Sequence, residues 1–400
     1  MKKLTVIALV VALAAFFAVT ASANEWNLYG SARMATFYTS QDLSDGNALA
    51  GQTVGVDQFG RDSVDNLNWE LQGNSRVGAT VKGDMIDARF EFAVTSDGGG
   101  GNVGTRRLYG VWKFADDWGL KVGKDYTPIT FFLSGQVFDT DNGLLQVGNA
   151  YGARRGQIAL EGMGFKVALI SPTAGILTRT LPAGFTVQQT TETYIPKLEA
   201  SYEFKLSDAM SLHAFGGYQA FKLYQATTDT ATGAVLQADD DVSSYMVGAG
   251  ADLGFGPFFV KPQVSWYRNG AAAGWLNANL GLGGPQLNGR SLSQLPVLDI
   301  TGGLVDVDSI MAMLAIGFSP TEMLRLELGG GYLYSDYDNG SENTYMEYYL
   351  QAVLTLAKGV YIVPEVGFRD YGDFKTNAPF VPNINLGDLW YAGAKWQIDF

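Results

Sequence analysis

Bond-breaking chemistry has little to work with in this 400-residue chain, which has no cysteine and a single histidine, His213. Without Cys there is no disulfide, thiolate metal site or thiol nucleophile. His213 follows the short turn signal Ser207-Asp208 and has no partner motif, so it reads as a structural residue rather than a general base. The acidic stretches Asp42–Asp45 and Asp239–Asp241 lack the ligand spacing of a calcium loop. No glycine-rich phosphate loop stands between a strand and a helix. No catalytic residue, metal or cofactor is therefore expected. What remains is fixed charge. Arg33, Arg76, Arg106, Arg107 and Arg155 recur along the first part of the chain, and Asp125, Asp139 and Asp141 fall in or beside the Phe-, Gly- and Asp-rich stretch 125–149. Opposed charges set across a gap create a field that orders water and sorts solutes without altering them.

The elements that must position these charges are strands. Apolar and polar residues alternate at period two in segment after segment. In 67–82, Leu67, Trp69, Leu71, Gly73, Ser75, Val77, Ala79 and Val81 share one face. Asn68, Glu70, Gln72, Asn74, Arg76, Gly78, Thr80 and Lys82 share the other. Tyr194–Leu206 and Leu389–Phe400 repeat the pattern. Sixteen such segments begin near residues 26, 67, 87, 105, 118, 151, 162, 194, 209, 242, 257, 305, 323, 344, 359 and 387. Parity puts Arg33 with Tyr29 and Ser31, Arg76 on a polar face, and Arg155 with Gln157, opposite Ile158 and Leu160. Arg106 and Arg107 are adjacent, so strict alternation lets only one of them share that side, and the pattern of Leu108 and Trp112 favours Arg107.

Connections alternate in length. Short ones include Gly83-Asp84-Met85, Ser207-Asp208, Gly254-Phe255-Gly256, Ser319-Pro320-Thr321 and Lys358-Gly359; long polar ones include 41–66, 172–193, 225–241, 269–304 and 370–386. Short turns at one end and long loops at the other describe a membrane-spanning antiparallel β-barrel. Lipid offers the backbone no hydrogen-bond partner, so such a sheet must close on itself. About sixteen strands leave a lumen wide enough for water. Aromatic girdles are expected from Trp26, Trp69, Trp112, Trp118, Trp266, Trp390 and Trp396, with Tyr332, Tyr334, Tyr345, Tyr348 and Tyr349. The net charge is −13, which argues against nucleic acid as a partner. It would argue mildly for cation preference if the lumen followed the total. At the start, Met1-Lys2-Lys3, an apolar run from Leu4 to Thr20 and Ala21-Ser22-Ala23 read as a signal peptide spanning 1–23, leaving a barrel over 24–400.

Four stretches carry a family resemblance: Leu28-Tyr29-Gly30-Ser31; Ser75-Arg76-Val77-Gly78 with Lys82-Gly83; Arg106-Arg107-Leu108-Tyr109-Gly110-Val111-Trp112 followed by Leu120 to Pro128; and Phe400 with Ile398 and Trp396 spaced two apart before it. The chain resembles the general porins of Gram-negative outer membranes. The resemblance implies a 16-stranded barrel, a homotrimer, and a third loop folded into the lumen as a constriction. It implies a pore for small hydrophilic solutes, with a substrate-selective channel for sugars or organic anions as the alternative and an outer-membrane enzyme or adhesin as a more distant one. Implied partners are outer-membrane lipid and lipopolysaccharide, and the assembly machinery that reads Phe400, Ile398 and Trp396. It favours Arg106 over Arg107 as the lumen residue. The usual Pro-Glu-Phe-Gly-Gly-type stretch of the third loop is missing, and Gly135-Gln136-Val137-Phe138-Asp139-Thr140-Asp141-Asn142-Gly143 stands in its place. Asp139 and Asp141 are then the candidate loop acids, with Asp125 near the loop's root.

Overall fold

In a computed structural model of the chain, the described residues are 25–42, 62–94, 103–175, 185–276, 295–298, 303–375 and 383–400. The expected leader, 1–23, lies outside them. Among the described residues the wall is built of sixteen strands. These are β1 (Glu25–Asp42), β2 in two pieces (Ser63–Leu71 and Arg76–Lys82), β3 (Ile86–Val94), β4 (Val103–Ala115), β5 (Trp118–Tyr126), β6 (Arg154–Gly162), β7 (Phe165–Ile170) and β8 (Lys197–Ser207). They continue with β9 (Met210–Asp229), β10 (Val235–Phe255), β11 (Phe258–Arg268), β12 (Val307–Thr321), β13 (Leu324–Tyr337), β14 (Glu342–Ala357), β15 (Val360–Asp370) and β16 (Asp388–Asp399). Each pairs antiparallel with its sequence neighbours, and β1 pairs with β16 from Ser31↔Asp399 to Asp42↔Asp388, which closes the sheet. Closure leaves no edge to be solvated, the condition a sheet must meet in lipid.

Alternation assigns the two faces. Leu67 and Trp69 of β2 are 68% and 69% exposed, which places them on the outside rather than in a dry interior. Along β13, Leu326, Leu328 and Tyr332 are exposed while Glu327, Leu333 and Ser335 are buried. Trp112, Trp390 and Trp396 join the outer surface, but Tyr345 and Tyr349 do not belong to a girdle: they have inward parity and are buried. At the seam, Phe400 exchanges backbone hydrogen bonds with Gly30 (3.0 and 2.6 Å), and its ring lies where a Cβ on Gly30 would have to go.

Several local expectations give way to tertiary pairing. Segment 225–241 is not a loop: β9 and β10 run on as a hairpin through it, turning between Asp229 and Ala234. Phe185–Glu192, inside the expected loop 172–193, pairs with Lys222–Asp229 and widens that extension to three strands. Strands of 20 and 21 residues far exceed the roughly ten needed to span lipid. Their far ends stand in water, where polar Thr and Gln on both faces are tolerated, so a polar strand looks like a loop. The turn expected at Ser319-Pro320-Thr321 falls two residues later, since β12 continues to Thr321 after a register shift.

Two irregularities matter for the site. Between the pieces of β2, residues 71 to 76 advance five positions while their β1 partners go only from Met34 to Ser31. The two surplus residues keep parity on either side but release 72–75 from the ladder. Gln72, Asn74 and Ser75 are thereby buried together, so Ser75 does not sit on the apolar outer face that alternation assigns it. In β4, Glu91 pairs with Arg107 and Phe92 with Thr105, so Arg106 is the extra residue of a β-bulge.

The connection between β5 and β6, residues 127–153, is the third long one. It packs against inward-facing side chains. Ile129 and Val147 cluster with Phe215, Met246, Tyr267, Met311 and Leu333, and Leu133, Val137, Phe138 and Leu144 with Phe37, Met313, Tyr349 and Tyr391. Apolar packing therefore fills the interior along β9–β16 and reaches β1 at Phe37.

Candidate functional site

The other side of the interior is polar. A cavity of about 640 Å³ is lined by Arg33, Arg76, Arg106, Arg154, Lys395, Asn74, Tyr126 and Tyr151 from the wall or beside it, and by residues 132–145 of the long connection, Asp141 among them. The strand irregularities build this wall. The bulge turns both Arg106 and Arg107 inward. Arg106 Nε donates to Glu91 Oε1 at 2.8 Å, while Arg107 Nε donates to Asp125 Oδ1 at 2.6 Å. Strict alternation, which allows one of the pair, fails here because the extra residue resets the phase between them. The break in β2 lets Asn74 Nδ2 donate to Thr140 O (3.1 Å) and Asp141 Oδ2 (2.8 Å), and Gln72 Nε2 to Val137 O (3.1 Å).

The connection is held from the opposite side by carboxylates. Glu365 accepts the backbone N–H of Val137 (2.7 Å) and of Phe138 (3.0 Å). Glu327 accepts that of Gly135 at 2.6 Å, and Glu347 accepts from Gln136 Nε2. Glu199 accepts Trp275 Nε1 at 2.8 Å and pairs with Lys197, whose Nζ also donates to Ala273 O at 3.0 Å. These four glutamates lie on β13, β14, β15 and β8, and all are buried. Charge-assisted bonds to amides are among the stronger ones available to a loop. They act against strain: Asp139, Thr140 and Asp141 are consecutively left-handed (φ 52°, 68° and 58°), a conformation that costs L-residues about 1–2 kcal/mol each. The loop also sits directly on the wall at Gly331, where a Cβ would collide with the Val147 carbonyl oxygen.

The candidate charges fall as follows. Asp141 pairs with Arg33 and, at 3.1 Å, with Lys395. Asp139 turns the other way, to Arg369 of β15 at 3.2 Å. Asp125 is buried at the loop's root between Arg107 and Lys121 (2.9 Å). Arg76 reaches Glu91 Oε1 only at 3.9 Å. Arg155 points inward with Gln157 but lies against Gly274, outside the cavity lining; its neighbour Arg154 lines the cavity instead and donates to the Tyr126 hydroxyl at 2.8 Å. Arg154, Lys395, Arg369 and the glutamates were not singled out from sequence. Lys395 and Glu327 do have inward parity on their strands, which could have found them. His213 stacks on Phe131 of the connection, ring centroids 4.0 Å apart, and serves packing there.

Residues 8–373 match the family model for Gram-negative porins. The chain belongs to the Gram-negative porin family. The porin barrel also matches solved structures end to end. The outer membrane channel DcaP of Acinetobacter baumannii superposes with a TM-score of 0.62 at 15% identity, covering 95% of this chain and 99% of that one. The anion-selective porin of Comamonas acidovorans gives 0.53 at 13% identity (94% and 100% covered), and OmpF of Salmonella typhi 0.53 at 11% (94% and 98%). At these identities the likeness shows the fold. No curated protein sequence matches the chain. This porin is an integral outer-membrane barrel, and its family is one of channels for passive diffusion.

Proposed function

We propose that this porin is a water-filled pore for small hydrophilic solutes and ions, narrowed by residues 127–153 inside the barrel. The carrying observation is the cavity bounded on one side by arginines of β1–β6 and on the other by residues 132–145. The constriction charges on this reading are Arg33, Arg76, Arg106 and Arg154 with Lys395 on the wall, Asp141 on the loop, and Arg107 with Asp125 at the loop's root. Asp139 and Arg155 sit behind that lining, Asp139 paired with Arg369 and Arg155 packed beside Gly274. A channel is favoured over an enzyme because the single histidine is used in packing against Phe131.

The chain is exported by cleavage after Ala23, leaving 24–400 as the barrel. It assembles as a homotrimer among outer-membrane lipid and lipopolysaccharide. One solved relative, OmpT of Vibrio cholerae, is described in a trimer form, which supports the oligomer. Phe400, Ile398 and Trp396 lie exposed on the outer side of the β16 end and are accessible to an assembly factor. Reconstitution into planar bilayers tests the proposal: discrete conductance steps are expected, and their absence from protein that migrates as a heat-modifiable barrel overturns it.

A further inference from the structure

The cavity wall carries far more positive charge than the loop returns to it. Among the described residues five cations line it, Arg33, Arg76, Arg106, Arg154 and Lys395, and one carboxylate, Asp141. Glu91, behind the lining and fully buried, is the second acid in reach. Asp141 is committed to Arg33 and Lys395. Asp139 is turned away to Arg369, and the glutamates of the far wall are occupied with the loop's amides. Nothing on the loop answers the other three arginines.

Those three are chained together. Glu91 Oε1 takes Arg106 Nε at 2.8 Å and has Arg76 Nη1 at 3.9 Å. The Tyr126 hydroxyl takes Arg106 Nη2 at 3.3 Å and Arg154 Nη1 at 2.8 Å. Glu91 must also serve Arg89, at 3.0 Å. The Tyr126 hydroxyl thus ties Arg106 to Arg154, and Glu91 bonds Arg106 with Arg76 standing beside it. Arginine stays charged and has five N–H donors, most of which this arrangement leaves unused. Arg76 Nε is buried with no hydrogen-bond partner among the protein atoms. Guanidinium groups crowded beside a water-filled gap, with spare forked donors, match the geometry of a carboxylate or phosphate.

We infer that Arg76, Arg106 and Arg154 form a binding site for the anionic head of a passing solute, a carboxylate or a phosphate, and that the porin therefore passes anions ahead of cations despite its negative total charge. This rests on the reading of the cavity as part of the conducting path. An ion crossing a narrow pore responds to the charges lining it, while the loop acids outside are screened within about 10 Å at ordinary salt.

The test is a planar-bilayer measurement on the full-length protein in a roughly tenfold KCl gradient. The zero-current potential of the wild type is expected on the chloride side. Millimolar inorganic phosphate or succinate should reduce the chloride current by transient occupancy of the site. In R76Q/R106Q/R154Q the anion-to-cation permeability ratio should fall about threefold or more, and the phosphate effect should vanish. Should the triple variant fail to form heat-modifiable barrels, R154Q alone, whose polar partner is the Tyr126 hydroxyl, should shift the ratio the same way by a smaller factor. Steps with cation preference, or a preference untouched by these substitutions, overturn the inference and leave the pore standing. No steps at all from folded wild type overturns the pore itself.

Discussion

Glu365 and Phe138 are 227 positions apart, yet the carboxylate of the first accepts the backbone N–H of the second at 3.0 Å while its other oxygen takes the N–H of Val137 at 2.7 Å. This clamp and its counterparts at Glu327 and Glu347 explain how an irregular segment keeps a fixed place inside a barrel. Each amide would otherwise be an unsatisfied donor in a water-poor contact. It also explains why the acids of the far wall do not balance the arginines across the cavity.

Loosening the clamp should be measurable. Glu365→Gln retains one acceptor oxygen and removes the charge, weakening two bonds worth about 1.5–3 kcal/mol each. The expected result is a barrel with wild-type gel migration and single-channel traces that are noisier and more often in substates. A second change, Glu327→Gln, should add to the effect because it weakens the bond to the Gly135 N–H.

Gly331→Ala probes the same seat sterically. The new methyl meets the Val147 carbonyl oxygen, and Gly148 beside it has φ 139° and cannot easily give way. The loop has to move off β13. Conductance should change while the strand content seen by circular dichroism stays the same. Gly330→Ala, whose Cβ would meet its nearest neighbours at 3.6 Å or more, should leave the conductance at the wild-type level.

Asp141 is the loop acid that faces the wall cations, pairing with Arg33 and Lys395. Asp141→Asn leaves Arg33 and Lys395 without a counter-charge, so the zero-current potential should move further to the chloride side. Asp139→Asn, whose partner Arg369 is on the far wall and also holds Glu347 at 2.7 Å, should move it less.

Arg107 and Asp125 form a nearly enclosed pair at the root of the loop. Removing one partner from a buried pair costs about 3–5 kcal/mol, discounted here because Lys121 remains beside Asp125. Arg107→Ala should lower the temperature at which the barrel loses its heat-resistant band. Arg107→Ala with Asp125→Asn together should lower it by less than the two single losses combined.

The wall was legible in the sequence because its signal is local. Lipid on one side and water on the other write a period of two into almost every strand, and turn residues mark the short connections. Legibility failed wherever a strand left the membrane or the ladder broke. Gln188 to Thr191 and Asp239 to Asp241 are polar on both faces, as suits strands long enough to run beyond the lipid, so they look like loop. The bulge at Arg106 and the surplus residues at 72–75 have no local mark, since a single extra residue is defined only by what the partner strand does opposite it. The filled half of the interior did leave a trace: in β9, Leu212, Phe215, Phe221 and Leu223 put apolar side chains on both parities, and inward Phe215, Phe221 and Leu223 are buried. An inward apolar residue is a sign that something covers it. The glutamate clamps were invisible because a carboxylate on an inward face looks the same whether it lines water or holds an amide.

Arg76 and Val77 adjoin in β2 and carry the claim that one face meets water and the next meets lipid: Arg76 lines the cavity and Val77 is 54% exposed on the outside. Since the chain has no cysteine, Arg76→Cys and Val77→Cys each introduce a single thiol. In bilayers, a charged water-soluble methanethiosulfonate reagent should lower the current through the Arg76→Cys pore stepwise and leave the Val77→Cys pore unchanged. Modification of Val77→Cys with no effect at Arg76→Cys, or equal reaction at both, would contradict the barrel and its lumen together.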